Sequence, residues 1–329
     1  MRYILYILLL SLLVPSQTIG TTSASFLGIG LGSRAMGMGG AFTSMTNDVS
    51  SIYWNPGSIS NLDVNKFQML NTKWLIDTQW FYSSYSYKIN NGTIAMNIFY
   101  LDYGEEEITT IYDQDGTGDY WTAYDMSIGM YYGTNITDRF SFGLGGKYIN
   151  QSIYNESAST FAIDMGLLYQ DYENNFRLGA SVSNIGFDMK LDGNDLYFNC
   201  DLDTDSYGNN DNVPCILSTE KFPLPVFYRL GISKDYEISE KFLLINSIDW
   251  VIPSDDVEHF NIGSELNYYN KVFLRLGYRH LGKKDSEEGL TFGLGTKLFI
   301  AGNDLEVNYT YHNFGVFGYI PYFEFILNF

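Results

Sequence analysis

Basic residues, cysteine and long apolar runs are all scarce in this 329-residue chain, and each scarcity narrows what the protein can be. It has 19 Lys and Arg against 38 Asp and Glu, for a formal net charge of -19. Because nucleic acid is bound through a basic face, no nucleic-acid partner is expected. Beyond residue 14 no stretch offers 18 consecutive apolar residues, so no transmembrane helix is expected in the mature chain. The apolar content of 45% still excludes a disordered chain.

The two cysteines, Cys200 and Cys215, lie in one polar stretch. In an exported protein a disulfide between them would close a short loop, and two free thiols are the alternative. A zinc site would require further nitrogen or sulfur ligands, and no histidine lies nearby.

The start of the chain has the pattern of a secretory signal peptide. A basic Arg2 is followed by an apolar run from Tyr3 to Val14 and by small residues that end at Gly20. That run is shorter than the ~20 residues that a membrane-spanning helix needs, which disfavours a transmembrane anchor. We therefore predict a signal peptide over residues 1–20.

Past residue 65 the sequence alternates large apolar residues with small or polar ones, which predicts strands that have one apolar and one polar face. Fourteen strands are predicted, each long enough to cross a bilayer when tilted. They cover residues 66–75, 79–89, 92–103, 120–133, 139–150, 157–170, 175–187, 224–234, 241–252, 258–268, 271–281, 289–299, 304–314 and 319–329. The 28 Tyr, 23 Phe and 5 Trp suit the two aromatic girdles of such a structure.

The connections between these strands separate into tight turns and long polar loops. Residues 104–119 and 188–223 form the longest loops, and each carries a net charge of -6. Tight turns at one end and long loops at the other are typical of a bacterial outer-membrane barrel, with the long loops outside the cell. A soluble sandwich or propeller would give no reason for this division. The fold class is therefore predicted as an all-β transmembrane barrel over residues 65–329.

In such a barrel the apolar face meets lipid and the polar face lines the lumen. Nine charged residues are predicted on the lumen face: Asp125, Lys147, Asp164, Arg177, Arg229, Glu265, Arg275, Lys297 and Glu306. Their mixed signs favour a network of ion pairs that closes the interior over a charge-selective pore. Many lumen positions are glycine, which permits the close approach of a plug.

Residues 21–64 lack the strand pattern and are predicted to form that N-terminal plug, or hatch. Its motif comprises Gly28, Gly30, Gly32, Arg34, Gly37, Gly39, Gly40, Trp54, Asn55 and Pro56. Such a density of small residues suits a segment threaded into a narrow space. The Gly30 to Ala35 run superficially matches a dinucleotide-binding fingerprint, but it does not follow a strand in a βαβ unit.

The chain ends with Phe325, Leu327 and Phe329 on one strand face. This arrangement looks like the C-terminal signal for insertion of outer-membrane barrels. A buried strand at a chain end is the alternative, and the export signal and the loop pattern favour insertion.

Several stretches together carry a family resemblance. They are GSRAMGMGGAF, NDVSSIYWNPGSIS, LDYGEEEITT, ESASTFAIDMGLLY, RLGASVSNIG and PLPVFYRLGIS. The chain resembles the PorV/PorQ family of outer-membrane proteins, which is related to the FadL-type hydrocarbon transporters. The likeness runs from about Ser25 to Phe329 and departs from the family where Asn55-Pro56 is followed by Gly57 instead of alanine.

The resemblance implies a fourteen-stranded barrel with an internal hatch and a role in type IX secretion. PorV-like barrels receive exported cargo and pass its C-terminal domain to an attachment complex. Outer-membrane lipid, secretion machinery and cargo C-terminal domains are the implied partners. The alternative is FadL-like passive uptake of a hydrophobic small molecule, with the ligand held near the hatch.

No catalytic motif or cofactor site stands out, so the protein is not expected to be an enzyme. The three histidines, His259, His280 and His312, lie far apart in sequence on separate strands or loop edges. Asp113, Asp115 and Asp119 are spaced as in a calcium loop, but the bidentate glutamate of an EF-hand is missing, so a solvated loop is favoured over a metal site.

Overall fold

The long strands alternate between inward and outward side chains over most of their length. In Val272–Leu281, Leu274 and Leu276 point outward and are 51% and 50% exposed, whereas Arg275 and Arg279 point inward and are 4% and 7% exposed. Successive side chains of a strand lie on opposite faces, so one sequence of alternating polarity supplies both a lipid face and a polar interior.

This computed structural model describes residues 20–201, 212–284, 286–300 and 302–329. Residues 1–19 of the predicted signal peptide therefore lie outside the described residues. Within the described ranges no helix combines the length and the apolar character needed to cross a membrane.

Fourteen long strands in the described residues form one antiparallel sheet. In chain order they are β1 (Lys66–Lys73), β2 (Gln79–Ile89), β3 (Gly92–Glu107), β4 (Tyr120–Thr137), β5 (Phe140–Ile153), β6 (Glu156–Asp171), β7 (Phe176–Gly186), β8 (Phe227–Ser239), β9 (Phe242–Pro253), β10 (His259–Tyr268), β11 (Val272–Leu281), β12 (Glu288–Ile300), β13 (Asn303–Phe314) and β14 (Tyr319–Asn328). Each strand pairs with the next, and β1 pairs with β14, so the sheet closes into a barrel. The predicted fourteen-stranded barrel is confirmed.

The strand connections differ between the two ends of the barrel. At one end, which we call the tight-turn end, residues 90–91, 138–139, 172–175, 240–241, 269–271 and 301–302 connect the strands. At the other, the long-loop end, the connections are residues 74–78, 108–119, 154–155, 187–226, 254–258, 282–287 and 315–318. The two longest connections, 108–119 and 187–226, lie at the same end as predicted, although residues 154–155 form a two-residue turn at that end.

The β3–β4 hairpin extends further than the sequence predicts. Glu105, Glu106 and Glu107 were expected in a loop but continue β3, where Glu105 pairs with Thr122 and Glu107 with Tyr120. Side-chain polarity stops alternating here because both faces of this projecting hairpin meet water. The backbone hydrogen bonds between β3 and β4 nevertheless continue to Glu107.

Short elements complete the described chain. Two short helices, α1 (Ser33–Gly37) and α2 (Ser51–Trp54), lie before the barrel, with 3₁₀ turns at Ser25–Gly28 and Pro56–Asn61. The 187–226 connection contains two small antiparallel pairs: Met189–Lys190 with Lys221–Phe222, and Tyr197–Cys200 with Val213–Ile216. Further 3₁₀ turns lie at Asn194–Leu196 and Gly315–Phe317, and Asp192–Gly193 pairs with the start of β6.

Candidate functional site

The segment before β1 runs through the barrel interior from the long-loop end to the tight-turn end. At the long-loop end, the Ala24 amide donates to Gln151 Oε1 at 2.9 Å. Midway, the amides of Phe42 and Thr43 both donate to Asp249 Oδ2 at 2.8 Å. Near the tight-turn end, Asn61 Nδ2 donates to Ser141 Oγ at 3.0 Å. The segment thus contacts several different strands from the inside.

Inward-facing glycines make room for the backbone of this segment. They are Gly143, Gly166, Gly179, Gly231, Gly263 and Gly277. A Cβ at Gly143 would lie 2.1 Å from Pro56 O, and one at Gly277 would lie 2.1 Å from Gly39 N. Real Cβ atoms do not approach backbone so closely, so a larger residue at either position would displace the segment.

The hatch motif supplies hydrogen bonds that hold the segment's own fold. Trp54 Nε1 donates to Leu31 O at 2.8 Å. Asn55 Nδ2 donates to Thr43 O at 2.7 Å and to Leu167 O on β6 at 2.9 Å, while its Oδ1 accepts from Gly57 N at 2.9 Å. Asn55 therefore ties two parts of the segment to the barrel wall.

Positive backbone angles explain three of the motif glycines. Gly32, Gly39 and Gly40 have φ angles of 91°, 66° and 74°. Residues with a Cβ rarely adopt this left-handed region, so these turns favour glycine. Gly28, Gly30 and Gly37 lie in the same segment without this constraint.

Arg34 joins the segment to the wall by charge. Its Nε and Nη2 donate to the two carboxylate oxygens of Glu265 at 2.8 and 2.7 Å, and Asp48 lies 3.6 Å from Nη1. Burial disfavours the charged guanidinium, and the carboxylates of Glu265 and Asp48 offset that cost by supplying opposite charge.

The same network continues across the interior. Arg275 Nε donates to Glu265 at 2.6 Å, and its Nη1 donates to Asn308 Oδ1 at 2.8 Å. Asn308 Nδ2 in turn donates to Glu324 at 3.0 Å, and the Ser33 amide donates to the other oxygen of Glu324 at 2.9 Å. A mixed set of charges therefore occupies the interior as bonded partners, as the ion-pair hypothesis expects.

The structure places all nine predicted lumen charges on the inward side. Besides Glu265 with Arg275, three pairs form: Lys147 with Asp164 at 2.8 Å, Arg177 with Asp235 at 2.5 Å, and Lys297 with Glu306 at 3.4 Å. Arg229 forms no ion pair within the described residues and lies over the rings of Tyr53, Trp54 and Phe227. Within the described part of the chain, Asp125 accepts hydrogen bonds from the neutral side chains of Tyr103 and Gln151.

Several interior charges were missed by the sequence analysis. The clearest are Asp249 and Glu324, each 0% exposed. Glu324 lies between two outward phenylalanines, and this single polar residue in an apolar strand was the available signal. Asp249 alternates with Ile248 and Trp250 in the same way.

The three histidines come together near the long-loop end, although they are far apart in sequence. The rings of His259 and His280 lie 4.1 Å apart between centroids. His312 Nε2 is 3.2 Å from Glu288, which also pairs with Arg279 at 2.6 Å. Separate strands converge here because antiparallel neighbours end at the same rim. In the described ranges no group of three or more His, Cys, Asp or Glu is arranged to hold a metal.

Two cavities open at the long-loop end beside the N-terminal segment. The first, of about 560 Å³, has a mixed lining that includes Tyr53, Arg229, Asp256, Arg279 and Lys283. The second, of about 750 Å³, is lined mostly by apolar side chains of β3 to β6 and of the 187–226 connection. We call these the charged cavity and the apolar cavity.

The rim of the long-loop end exposes apolar side chains to solvent. Ile76, Ile111, Tyr112, Phe187 and Val316 are 86%, 80%, 88%, 78% and 81% exposed. They lie on the connections 74–78, 108–119, 187–226 and 315–318. Exposed apolar side chains are common at interaction sites, and these five are distributed over four connections of one rim.

The remaining predicted residues lie at the two ends of the barrel. Cys200 and Cys215 form a disulfide within the 187–226 connection. Asp113, Asp115 and Asp119 are exposed on the 108–119 loop. At the C-terminus, Phe325 and Phe329 point outward, and the Phe329 ring stacks on Tyr85 with centroids 6.2 Å apart.

Known structures share this barrel fold. The toluene transporter TbuX of Ralstonia pickettii aligns with a TM-score of 0.55 and 12% identity, covering 91% of this chain and 97% of that chain. The toluene transporter TodX of Pseudomonas putida aligns with a TM-score of 0.56 and 13% identity, covering 95% of this chain and 98% of that chain. At such low identity the likeness concerns the fold alone.

A family comparison adds information that the fold alone does not carry. No curated protein sequence matches the chain significantly. The model of a family described as type IX secretion system protein PorV matches residues 14–204, which is more than half of the chain. The match includes the N-terminal segment and strands β1 to β7. The chain therefore belongs to the PorV family and is an outer-membrane β-barrel.

Proposed function

We propose that this barrel binds exported polypeptides at its long-loop end and passes them to another component of type IX secretion. It acts by binding, without catalysis and without a cofactor. The observation that carries the proposal is the combination of an occupied interior and an apolar rim. The interior holds the N-terminal segment and its ion pairs, whereas five large apolar side chains of the rim are at least 78% exposed.

This combination favours surface recognition over conduction. A conduit would have to displace the Arg34 to Glu265 ion pair and the backbone that lies against the inward glycines. Removing one partner of a buried ion pair costs about 3–5 kcal/mol, so the interior resists opening. The rim can bind a partner without such a cost.

Site-specific photo-crosslinking tests the proposal. A benzoylphenylalanine replaces Tyr112 at the rim, and the matched control replaces Tyr172, which is 59% exposed at the tight-turn end. In cells, the Tyr112 probe should form adducts with secreted polypeptides or secretion components, identified by mass spectrometry. The Tyr172 probe should not form the same adducts.

A second function, passive transport of a hydrophobic small molecule, is favoured by one observation. The apolar cavity lies beside the N-terminal segment, and the fold resembles two proteins named as toluene transporters. This function predicts uptake of toluene into proteoliposomes at a rate that depends on the protein. Such uptake, together with the absence of any polypeptide adduct at Tyr112, would overturn the shuttle proposal.

A further inference from the structure

Asp125 is a buried carboxylate that lines the apolar cavity without a basic partner. Only 4% of the surface of Asp125 is exposed. Tyr103 Oη donates to Oδ2 at 2.8 Å, and Gln151 Nε2 donates to Oδ1 at 2.9 Å. No ion pair involves Asp125 in the described residues, in contrast to Asp164 and Glu265, whose carboxylates each bind a cation.

The orientation of Asp125 is fixed by the N-terminal segment. The Ala24 amide donates to Gln151 Oε1 at 2.9 Å, so the other end of the same side-chain amide, Nε2, is held against Asp125. The carboxylate is therefore positioned by neutral donors on two sides, which leaves its charge uncompensated.

The walls of the cavity are mostly apolar, and among the described residues that line it none is a cation. Trp121, Ala123 and Ala158 come from the barrel, and Met189, Leu191 and Phe222 come from the 187–226 connection. Asp125 and Glu220 are the charged residues among those described in the lining, and both are acidic. The charged cavity differs, because its arginines and a lysine are mixed with acidic residues.

The nearby stretch 104–119 adds negative charge, whereas Lys190 and Lys221 lie next to lining residues of the 187–226 connection. The stretch 104–119 bears a net charge of -6, and its β3–β4 hairpin supplies Tyr103 and Trp121 to the cavity wall. A negative rim around a low-dielectric pocket concentrates cations at its mouth.

We propose that the apolar cavity binds a lysine or arginine side chain of the polypeptide partner, with the cation at Asp125 and the aliphatic stem against the apolar walls. This inference rests on the proposed shuttle function and names the chemistry of its partner. Long basic side chains suit the site because they combine an apolar stem with a terminal charge. A charge-assisted bond to a buried carboxylate is stronger than one between neutral groups.

Binding of designed peptides to the full-length protein in detergent tests the proposal. The probe is a labelled, end-blocked peptide Ser-Gly-Ser-Lys-Ser-Gly-Ser, and its matched control carries norleucine in place of lysine. Norleucine keeps the stem and removes the charge. Fluorescence anisotropy at low salt should give at least about tenfold tighter binding for the lysine peptide, since loss of one partner from a desolvated charge pair weakens binding by that much or more.

Two variants assign the effect to the cavity. Asp125→Asn should remove the preference for lysine, whereas Asp115→Asn removes the same charge from an exposed position on the 108–119 loop and should keep the preference. Ala123→Phe fills the cavity without touching the carboxylate and should weaken binding of both peptides. The Ala123→Phe variant still tests whether the peptides bind in the cavity if Asp125→Asn does not fold.

Other outcomes overturn the proposal, and each is separable from failure of the shuttle function. Equal binding of both peptides, together with Tyr112 adducts, overturns the cationic pocket and leaves the shuttle function intact. If n-butylamine displaces the lysine peptide and binds with the same affinity as that peptide, the site is one for small amines. This result overturns the polypeptide partner. Lysine-selective binding without any Tyr112 adduct counts against the shuttle function alone.

Discussion

Arg34 and Glu265 form a two-point ion pair inside the barrel, although 231 residues separate them in sequence. Arg34 belongs to the N-terminal segment and Glu265 to β10, so the pair fastens one to the other. Glu265 is 1% exposed and also binds Arg275, so two buried cations share one carboxylate.

Replacement of this carboxylate should loosen the segment. Glu265→Gln removes the carboxylate that Arg34 and Arg275 share and leaves only the more distant Asp48 beside Arg34, so the expected loss of stability is about 3–5 kcal/mol. The measurement is the urea dependence of tryptophan fluorescence in detergent, together with protease cleavage near residues 30–40.

An exposed ion pair supplies the control. Arg139 and Glu173 connect two tight turns, with their side chains 46% and 76% exposed. Glu173→Gln should change stability by less than about 1 kcal/mol, because exposed ion pairs are weak. Equal effects of the two substitutions would show that burial of the Arg34 pair does not matter.

Much of the barrel could be predicted from sequence because each strand must satisfy lipid on one face and a polar interior on the other. The alternation of Leu274, Arg275 and Leu276 shows which side chains face lipid and which face the interior. The ends of the strands could not be predicted equally well, since Glu105 to Glu107 are polar on both faces and still pair in the ladder.

The interior was harder to predict than the wall. Side-chain polarity shows that Arg275 and Glu265 point inward, but it does not show that Arg34 is their partner. The same holds for the three histidines, which were interpreted as isolated and meet at one rim. Such contacts depend on which strands are neighbours in space and on the path of the N-terminal segment.

Glycine packing gives a second prediction, with both variants on β5. In Gly143→Ala the new Cβ would lie 2.1 Å from Pro56 O, whereas a Cβ at Gly146 would have no atom within 4 Å. Gly143→Ala should therefore lower stability by about 1–3 kcal/mol, as overpacking does in a tight interior. Gly146→Ala should have little effect in the same urea titration.

A third prediction concerns the side-chain amide of Asn55. Its two donated hydrogen bonds, to Thr43 O and Leu167 O, are lost in Asn55→Asp, and a carboxylate then faces two carbonyl oxygens. An expected loss of about 2–4 kcal/mol follows from two missing bonds and two unpaired acceptors. Asn61→Asp, which removes a partly exposed bond to Ser141, is the control and should cost less. A smaller effect at position 55 than at position 61 would contradict the anchoring role of Asn55.

The orientation of the barrel in the outer membrane gives a fourth prediction. In a background with Cys200→Ser and Cys215→Ser, a single cysteine replaces Tyr112 at the long-loop end or Tyr172 at the tight-turn end, both of which are well exposed. Long loops of outer-membrane barrels face outward and tight turns face the periplasm. A membrane-impermeant maleimide should therefore label position 112 on intact cells and position 172 only after the outer membrane is permeabilised. Labelling of position 172 but not of position 112 on intact cells would reverse this orientation, and with it the side on which the apolar rim meets a partner.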